Sequence, residues 1–299
     1  MKMKRFVSIV LCALLLLPVL AGCGAKTETP AATEAPAAPA ETETEAPAPL
    51  SEDVQKIVDR GVLRVGVKNA VLGFGFQDEL TGEYTGMEIS LAKKIAEYLG
   101  VDVEFTAVTA ATRTELLDSG DIDCVLATFT ITEERKKSWD FTTPYYTDYV
   151  TVLVEDASGI KTLGDLLDKK VGVSSGSTSA KALVKAMIEA GVISGDGFDA
   201  DTFDPATWTA GVSFAQYDDY PTISTALSAG EVDAFCVDKS ILANYKTDDR
   251  SFIADSFAPQ DYGVATKKGA ELSAKVEELI TGWLADGTIA ELVTKWGLD

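Results

Sequence analysis

One six-residue phrase occurs twice in the chain, in two guises, and it restricts the fold more than any other feature. Gly120-Asp121-Ile122-Asp123-Cys124-Val125 is echoed by Gly230-Glu231-Val232-Asp233-Ala234-Phe235. Each copy follows a short helical run and leads into a buried-type strand. The likeness is one of architecture, without a duplicated sequence. Helices that alternate with buried strands imply parallel βαβ units and an α/β fold, here in two units.

The segments around the two phrases agree. Residues 51–60 read as a helix with Val54, Ile57 and Val58 on one face, closed by Gly61. A buried strand at 62–67 and a turn-rich hairpin at 72–84 follow. Gly86 then opens a helix with Leu91, Ala92, Ile95 and Leu99 at helical spacing, closed by Gly100. Val101, Val103 and Phe105 alternate as in a strand with one buried face, before a helix at 112–119 and a strand at 122–126. The pattern restarts with a strand at 149–154, a helix at 162–168 and a strand at 171–173. A small-residue loop, 174–178, leads into a helix at 179–190. A strand at 212–217, a helix at 221–228 and a strand at 231–238 complete the second unit. The C-terminal helices, 270–284 and 288–296, have apolar faces that need the first unit's sheet as cover.

The N-terminus is of another kind. Lys2, Lys4 and Arg5 precede an apolar run from Phe6 to Leu20, about 15 residues and short for a membrane span. Residues 24–50 are Ala, Pro, Thr and Glu without hydrophobic periodicity, which reads as a disordered tether. The formal charge is -21, and loss of the first 22 residues would lower it by three more. Such an acidic chain argues against nucleic acid as a partner. The chain has no histidine, which excludes Ser-His-Asp and Cys-His catalysis and the commonest zinc sites. Cys124 and Cys236 each fall in an expected core strand, and two separate buried thiols are favoured over a disulfide. Asp196, Asp199, Asp201 and Asp204 share one loop. Its spacing departs from a calcium loop, because Phe203 stands where another aspartate is needed, so a solvated acidic loop is expected.

Residues 127–146 concentrate the chemistry. Thr128, Thr130 and Thr132 alternate after a strand, Thr132 suits the N-cap of a short helix, and Arg135 comes three residues later. Hydroxyls, helix-start amides and one guanidinium at a single spot suit a small carboxylate; the plainer reading is a strand-to-helix connection with a surface arginine.

Leu20-Ala21-Gly22-Cys23 resembles a bacterial lipobox. It implies a lipoprotein signal peptide at 1–22, a lipidated Cys23 and a tether at 23–50, so that the protein is extracytoplasmic and anchored to the cell membrane by lipid alone. The folded part, 51–299, resembles the extracellular solute-binding proteins of family 3, which serve ABC importers of polar amino acids. The resemblance rests on Gly86-Met87-Glu88-Ile89-Ser90-Leu91-Ala92, Thr130-Ile131-Thr132-Glu133-Glu134-Arg135-Lys136-Lys137, Pro144-Tyr145-Tyr146 and Tyr262-Gly263-Val264-Ala265, in that order. Thr112-Arg113, Ala127-Thr128-Phe129-Thr130 and Val237-Asp238-Lys239-Ser240 are most similar to the aspartate/glutamate-binding branch.

The resemblance implies a two-domain clamshell of the type II periplasmic-binding-protein-like fold. It would have two hinge strands, and each domain would be a mainly parallel sheet flanked by helices. Domain 1 would be 51–147 and 261–299, and domain 2 would be 148–260. The implied function is binding of glutamate or aspartate in the cleft and delivery to a membrane permease, by a monomer with no cofactor, no metal and no catalysis. Arg135 would clamp the ligand's α-carboxylate, helped by Thr130 and the amides of Ser177 and Thr178, and Asp238 would pair with the ammonium. Many relatives stack the ligand on aromatic rings near the positions of Val71 and Ala110, which are small here, and several have an acidic residue where Lys68 stands. Lys68 and Arg113 would instead meet a second carboxylate, with the hydroxyls of Thr128, Tyr220 and Tyr262 around it. Other polar amino acids, such as glutamine or cystine, and a surface adhesin or sensor role are the alternatives. An enzyme on this scaffold would need a carboxylate or tyrosine as general acid, whereas Glu88 and Asp123 read as a helix-start and a strand-end residue.

Overall fold

The computed structural model describes residues 51–299. The expected signal segment 1–22, Cys23 and the tether 23–50 lie outside the described residues.

Helix α1 (Glu52–Arg60) ends at Gly61, which takes the left-handed conformation (φ 75°) that glycine accepts without a steric cost. Strand β1 (Val62–Val67) follows. In place of a simple hairpin at 72–84, three short strands, β2 (Ala70–Val71), β3 (Gly75–Gln77) and β4 (Tyr84–Thr85), form a small antiparallel sheet. Then come α2 (Met87–Leu99), β5 (Asp102–Ala107), α3 (Thr112–Ser119), β6 (Cys124–Leu126) and β7 (Trp139–Phe141). A second series runs β8 (Tyr146–Glu155), β9 (Lys169–Ser174), α4 (Ser179–Glu189), β10 (Val212–Tyr217), α5 (Tyr220–Ser228), β11 (Ala234–Asp238), the single-turn α6 (Lys239–Leu242), β12 (Arg250–Phe252) and β13 (Phe257–Tyr262). β14 (Ala265–Lys267), α7 (Glu271–Ala285) and α8 (Thr288–Lys295) close the chain.

Two larger sheets carry the two lobes. The first has the order β5-β1-β6-β14-β7 and the second β10-β9-β11-β8-β12, with β13 also paired to β8. β5, β1 and β6 are parallel, and β14 runs against both of its neighbours. β10, β9 and β11 are likewise parallel, and β8 runs against β11, β12 and β13. Each sheet thus contains one reversed strand. β8 is the strand with which the chain enters the second sheet, and β14 the one with which it re-enters the first. β8 and β13 also pair with each other, from Tyr146↔Tyr262 to Asp148↔Gln260, so the two crossings between lobes run side by side.

The twice-used phrase has a concrete structural task. Asp123 donates its amide to the Arg64 carbonyl (2.8 Å) and accepts the Arg64 amide on its carboxylate (2.8 Å). Asp233 does the same to Lys170 of β9, with both bonds at 2.8 Å. The residue before each aspartate packs onto a glycine in the adjoining strand. A Cβ on Gly66 would lie 2.6 Å from Ile122, and one on Gly172 would lie 3.3 Å from Val232 and 2.6 Å from Ile223. The phrase therefore sets the register of each buried strand against its neighbour.

Two short helices expected from sequence are single 3₁₀ turns. Residues 162–168 contain only Leu163–Leu166, held by a capping box between Thr162 and Asp165. The helix expected after Thr132 is the turn Arg135–Lys137, and the Thr132 hydroxyl accepts the Arg135 amide (3.1 Å). A single turn aligns few peptide dipoles, so it does not supply the helix-start anion site expected there. The loop around 191–211 is irregular but anchored, with Phe203 packed against Phe198, Trp208 and Phe214.

α7 and α8 pack against the first lobe through buried Leu272, Val276, Ile280, Ile289 and Leu292, in one core with Val54, Leu63 and Leu91. Cys124 and Cys236 are buried free thiols. Among the described residues no helix is long and apolar enough to cross a membrane.

Candidate functional site

The carboxyl ends of the central strands of both lobes face one cleft, the usual place for ligands in open α/β sheets. Lys68 follows β1, Thr128 and Thr130 follow β6, Ser177 and Thr178 lie between β9 and α4, and Asp238 ends β11. Arg113 stands in the first turn of α3 and Tyr220 opens α5, while Tyr262 ends the hinge strand β13.

These residues form two groups. The inner group is Lys68, Arg113, Thr128, Tyr220, Asp238 and Tyr262, all at most 6% exposed. Arg113 donates from Nη1 to the carbonyls of Ala127 (2.9 Å) and Thr128 (3.2 Å), and its guanidinium lies 3.8 Å from the Phe129 ring centre. Lys68 Nζ lies 5.2 Å from the Tyr220 ring centre. The outer group is Arg135, Thr130, Ser177 and Thr178. Arg135 donates to the carbonyls of Thr130 (2.7 Å) and Gly176 (3.0 Å), which lie in opposite lobes, and it too sits over Phe129, at 4.7 Å.

Three expected roles change. Tyr262 donates its hydroxyl to Asp238 Oδ2, so that proton is committed to a carboxylate of the protein itself. The Ser177 amide is already donated to the Ser174 carbonyl (3.1 Å), closing a tight turn, and is not available to a ligand. The hydroxyls of Thr130 and Thr178 both bond to Gln260 Oε1, at 2.8 and 2.7 Å.

Sequence reasoning gave three residues of the site no part in binding. Gln260 is one. Glu88 is fully buried, and its Oε1 accepts the Thr128 amide (2.6 Å) and the Tyr145 hydroxyl (2.6 Å). This holds Thr128 at φ 45°, a left-handed conformation that costs a β-branched residue on the order of 1–3 kcal/mol. Asp148, on β8, accepts the Ser240 amide (3.0 Å) and lies 3.5 Å from the Tyr262 hydroxyl. The signal for Glu88 was a carboxylate inside an otherwise apolar helix start. Asp148 and Gln260 sit opposite each other in the hinge pair, which shows only once β8 and β13 are placed.

Cations and carboxylates share the site without pairing directly. Lys68, Arg113 and Arg135 converge, and among the described residues none forms a salt bridge with a carboxylate. Burial, reinforced by the Arg113 charge, lowers Lys68 to about 7. Burial, reinforced by Asp148, raises Asp238 to about 7, and burial also raises Glu88. Among the described residues, four buried atoms of the site have no hydrogen-bond partner: Arg113 Nε, Thr128 Oγ1, Asp238 Oδ1 and Glu88 Oε2. A buried polar atom left this way is costly, and the set is suited to a ligand that carries both signs of charge.

A cavity of about 740 Å³ opens beside Phe129, Arg135, Ser177, Thr178 and Gln216, with Ala110 on its wall, and one of about 30 Å³ lies between Lys68, Val71 and Tyr220. The acidic loop contributes Ala200, Asp201 and Phe203 to the rim of the larger cavity. Two of its aspartates accept nearby amides, Asp199 from Asp201 and Asp204 from Ala206, both at 2.9 Å.

Two α/β lobes joined by paired hinge strands around a polar cleft make a ligand-binding clamshell of the type II periplasmic-binding-protein-like fold. Residues 63–299 match the bacterial extracellular solute-binding proteins, family 3, and the chain belongs to that family. The ABC transporter glutamine-binding protein of Bacillus subtilis is 31% identical, over 98% of this chain and 97% of its own. The L-cystine-binding protein of Escherichia coli K12 is 32% identical, over 81% and 85%. A solved ancestral arginine-binding protein bound to arginine superposes with a TM-score of 0.66 at 34% identity, over 79% of this chain and 98% of that one.

Proposed function

We propose that the protein is the substrate-binding component of an amino acid ABC importer and that its ligand is an acidic amino acid, glutamate or aspartate. The lobes divide at 147/148 and 260/261, inside the β8–β13 pair. Arg135 takes the α-carboxylate and Asp238 the α-ammonium through its unpartnered Oδ1. Lys68 and Arg113 take the second carboxylate, next to the Thr128 hydroxyl and Tyr220. Residues 1–22 are then the signal segment, and Cys23 carries the lipid that holds the protein outside the membrane, near its permease.

The observation that carries the acidic reading is the cluster of three cations without a carboxylate partner. Arg113 is placed against the dipole of its own helix, in the first turn, where a cation is disfavoured by about 0.3–1 kcal/mol. Arg113 and Lys68 also disfavour each other's charge. A ligand with two carboxylates and one ammonium relieves both costs. A neutral polar ligand such as glutamine or cystine is the second reading. The names of the relatives favour it, and the three cations weigh against it.

The test is thermal stabilisation of refolded, ligand-stripped protein by each of the twenty amino acids. A ligand at about a thousand times its Kd adds roughly 4 kcal/mol. Glutamate and aspartate are expected to stand alone, Arg135→Ala to abolish binding of every amino acid, and Arg113→Ala to lose the acidic ones selectively. Glutamate binding to Arg113→Ala with parental affinity ends the dicarboxylate reading.

A further inference from the structure

Gln260 is buried (4% exposed) on β13, between the lobes. Its Nε2 donates to the carbonyls of Ala258 (2.9 Å) and Pro259 (3.2 Å). Carbonyls only accept, so these two bonds fix which end of the amide is nitrogen and leave Oε1 as the acceptor. The Thr130 hydroxyl, from the first lobe, and the Thr178 hydroxyl, from the second, both bond to that one oxygen. Amide oxygen cannot donate, so each threonine contributes its single proton there.

A hydroxyl whose proton is committed can only accept from anything else. Next to a ligand, Thr130 and Thr178 therefore present lone pairs, which suit an ammonium and repel a carboxylate. This reverses the part expected of Thr130 from sequence. The same oxygen ties the lobes together, because it receives one hydroxyl from each side of the cleft.

We infer that Gln260 is a positioning residue for ligand selection: by holding the protons of Thr130 and Thr178 in the closed cleft, it makes them ammonium acceptors and so favours amino acids over their des-amino analogues. The inference rests on the amino acid reading above, but not on the ligand's being acidic.

The experiment compares glutamate with glutarate, which keeps both carboxylates and lacks the ammonium, by titration calorimetry on the parent, Gln260→Met and Thr178→Val. If the amino acid screen selects another ligand, that amino acid and its des-amino analogue replace the pair. In Gln260→Met the hydroxyls are free to turn and donate. Affinity for the amino acid is expected to fall about tenfold while that for the des-amino acid is unchanged or rises, so the ratio drops at least tenfold. Thr178→Val removes one acceptor, leaves Gln260 in place and should lower the ratio in the same direction. An equal loss for both ligands in both variants shows a merely structural role and overturns the inference, as does an unchanged ratio. If the parent binds no amino acid, the functional reading itself fails and takes the inference with it. Should Gln260→Met fail to fold, Thr178→Val decides alone.

Discussion

Lys68 shows how far a single residue can work against the fold that carries it. It is buried, repelled by Arg113 and forms no salt bridge among the described residues. Burial of an unpaired charge carries a desolvation cost that an apolar side chain of similar size does not have. Lys68→Met is expected to raise the ligand-free melting temperature at pH 7 and to abolish stabilisation by glutamate, with both effects read from one set of melting curves. Asp238 gives a second residue-scale prediction. Its folded-state pKa, about 7, lies above the ordinary carboxylate value. The stability associated with its protonated form is therefore present below about pH 4 and lost as pH rises through 7. Ammonium binding needs the charged form, so glutamate affinity should weaken as pH falls below 7, and binding at pH 6.5 should release protons. Calorimetry in two buffers of different ionisation heat measures that release. The residues legible in sequence were the unusual ones, such as Arg135 after a threonine ladder and two small residues where relatives carry rings. The network around them was not legible, because Glu88, Asp148 and Gln260 act through contacts between residues 40 to 130 positions apart.

At the scale of elements, the helices and central strands could be read because burial on both faces leaves continuous apolar runs or helical spacing. β7, β12 and β14 are three-residue strands containing Asp140, Arg250 and Lys267, and β13 contains Pro259, so periodicity gives no warning of them. They are specified by pairing with β8, β6 and one another, a tertiary property. The loop 175–178 matters for a different reason. Gly176 adopts φ 74°, and a Cβ there would lie 2.8 Å from the Ala110 carbonyl oxygen of the opposite lobe. Its own carbonyl accepts from Arg135. Gly176→Ala is expected to hold the lobes apart, lowering affinity for the ligand about tenfold or more and leaving a larger radius of gyration at saturating ligand, as measured by small-angle scattering.

For the molecule as a whole, the two crossings lie next to each other and are hydrogen-bonded from Tyr146↔Tyr262 to Asp148↔Gln260. Motion between the lobes is thereby confined to a bend about one seam. Asp148 and Gln260, which face each other in that seam, also touch the groups around the cleft: Asp148 reaches Tyr262, and Gln260 reaches Thr130 and Thr178. The seam has another consequence, for the order in which the molecule can be made. β14, which fills the gap between β6 and β7, is encoded after every strand of the second sheet. A chain emerging from its N-terminus therefore completes the second lobe first, while the first waits with the edge of β6 uncovered until its last 35 or so residues arrive. A chain that stops before Ala265 keeps a whole second sheet and leaves the first one split.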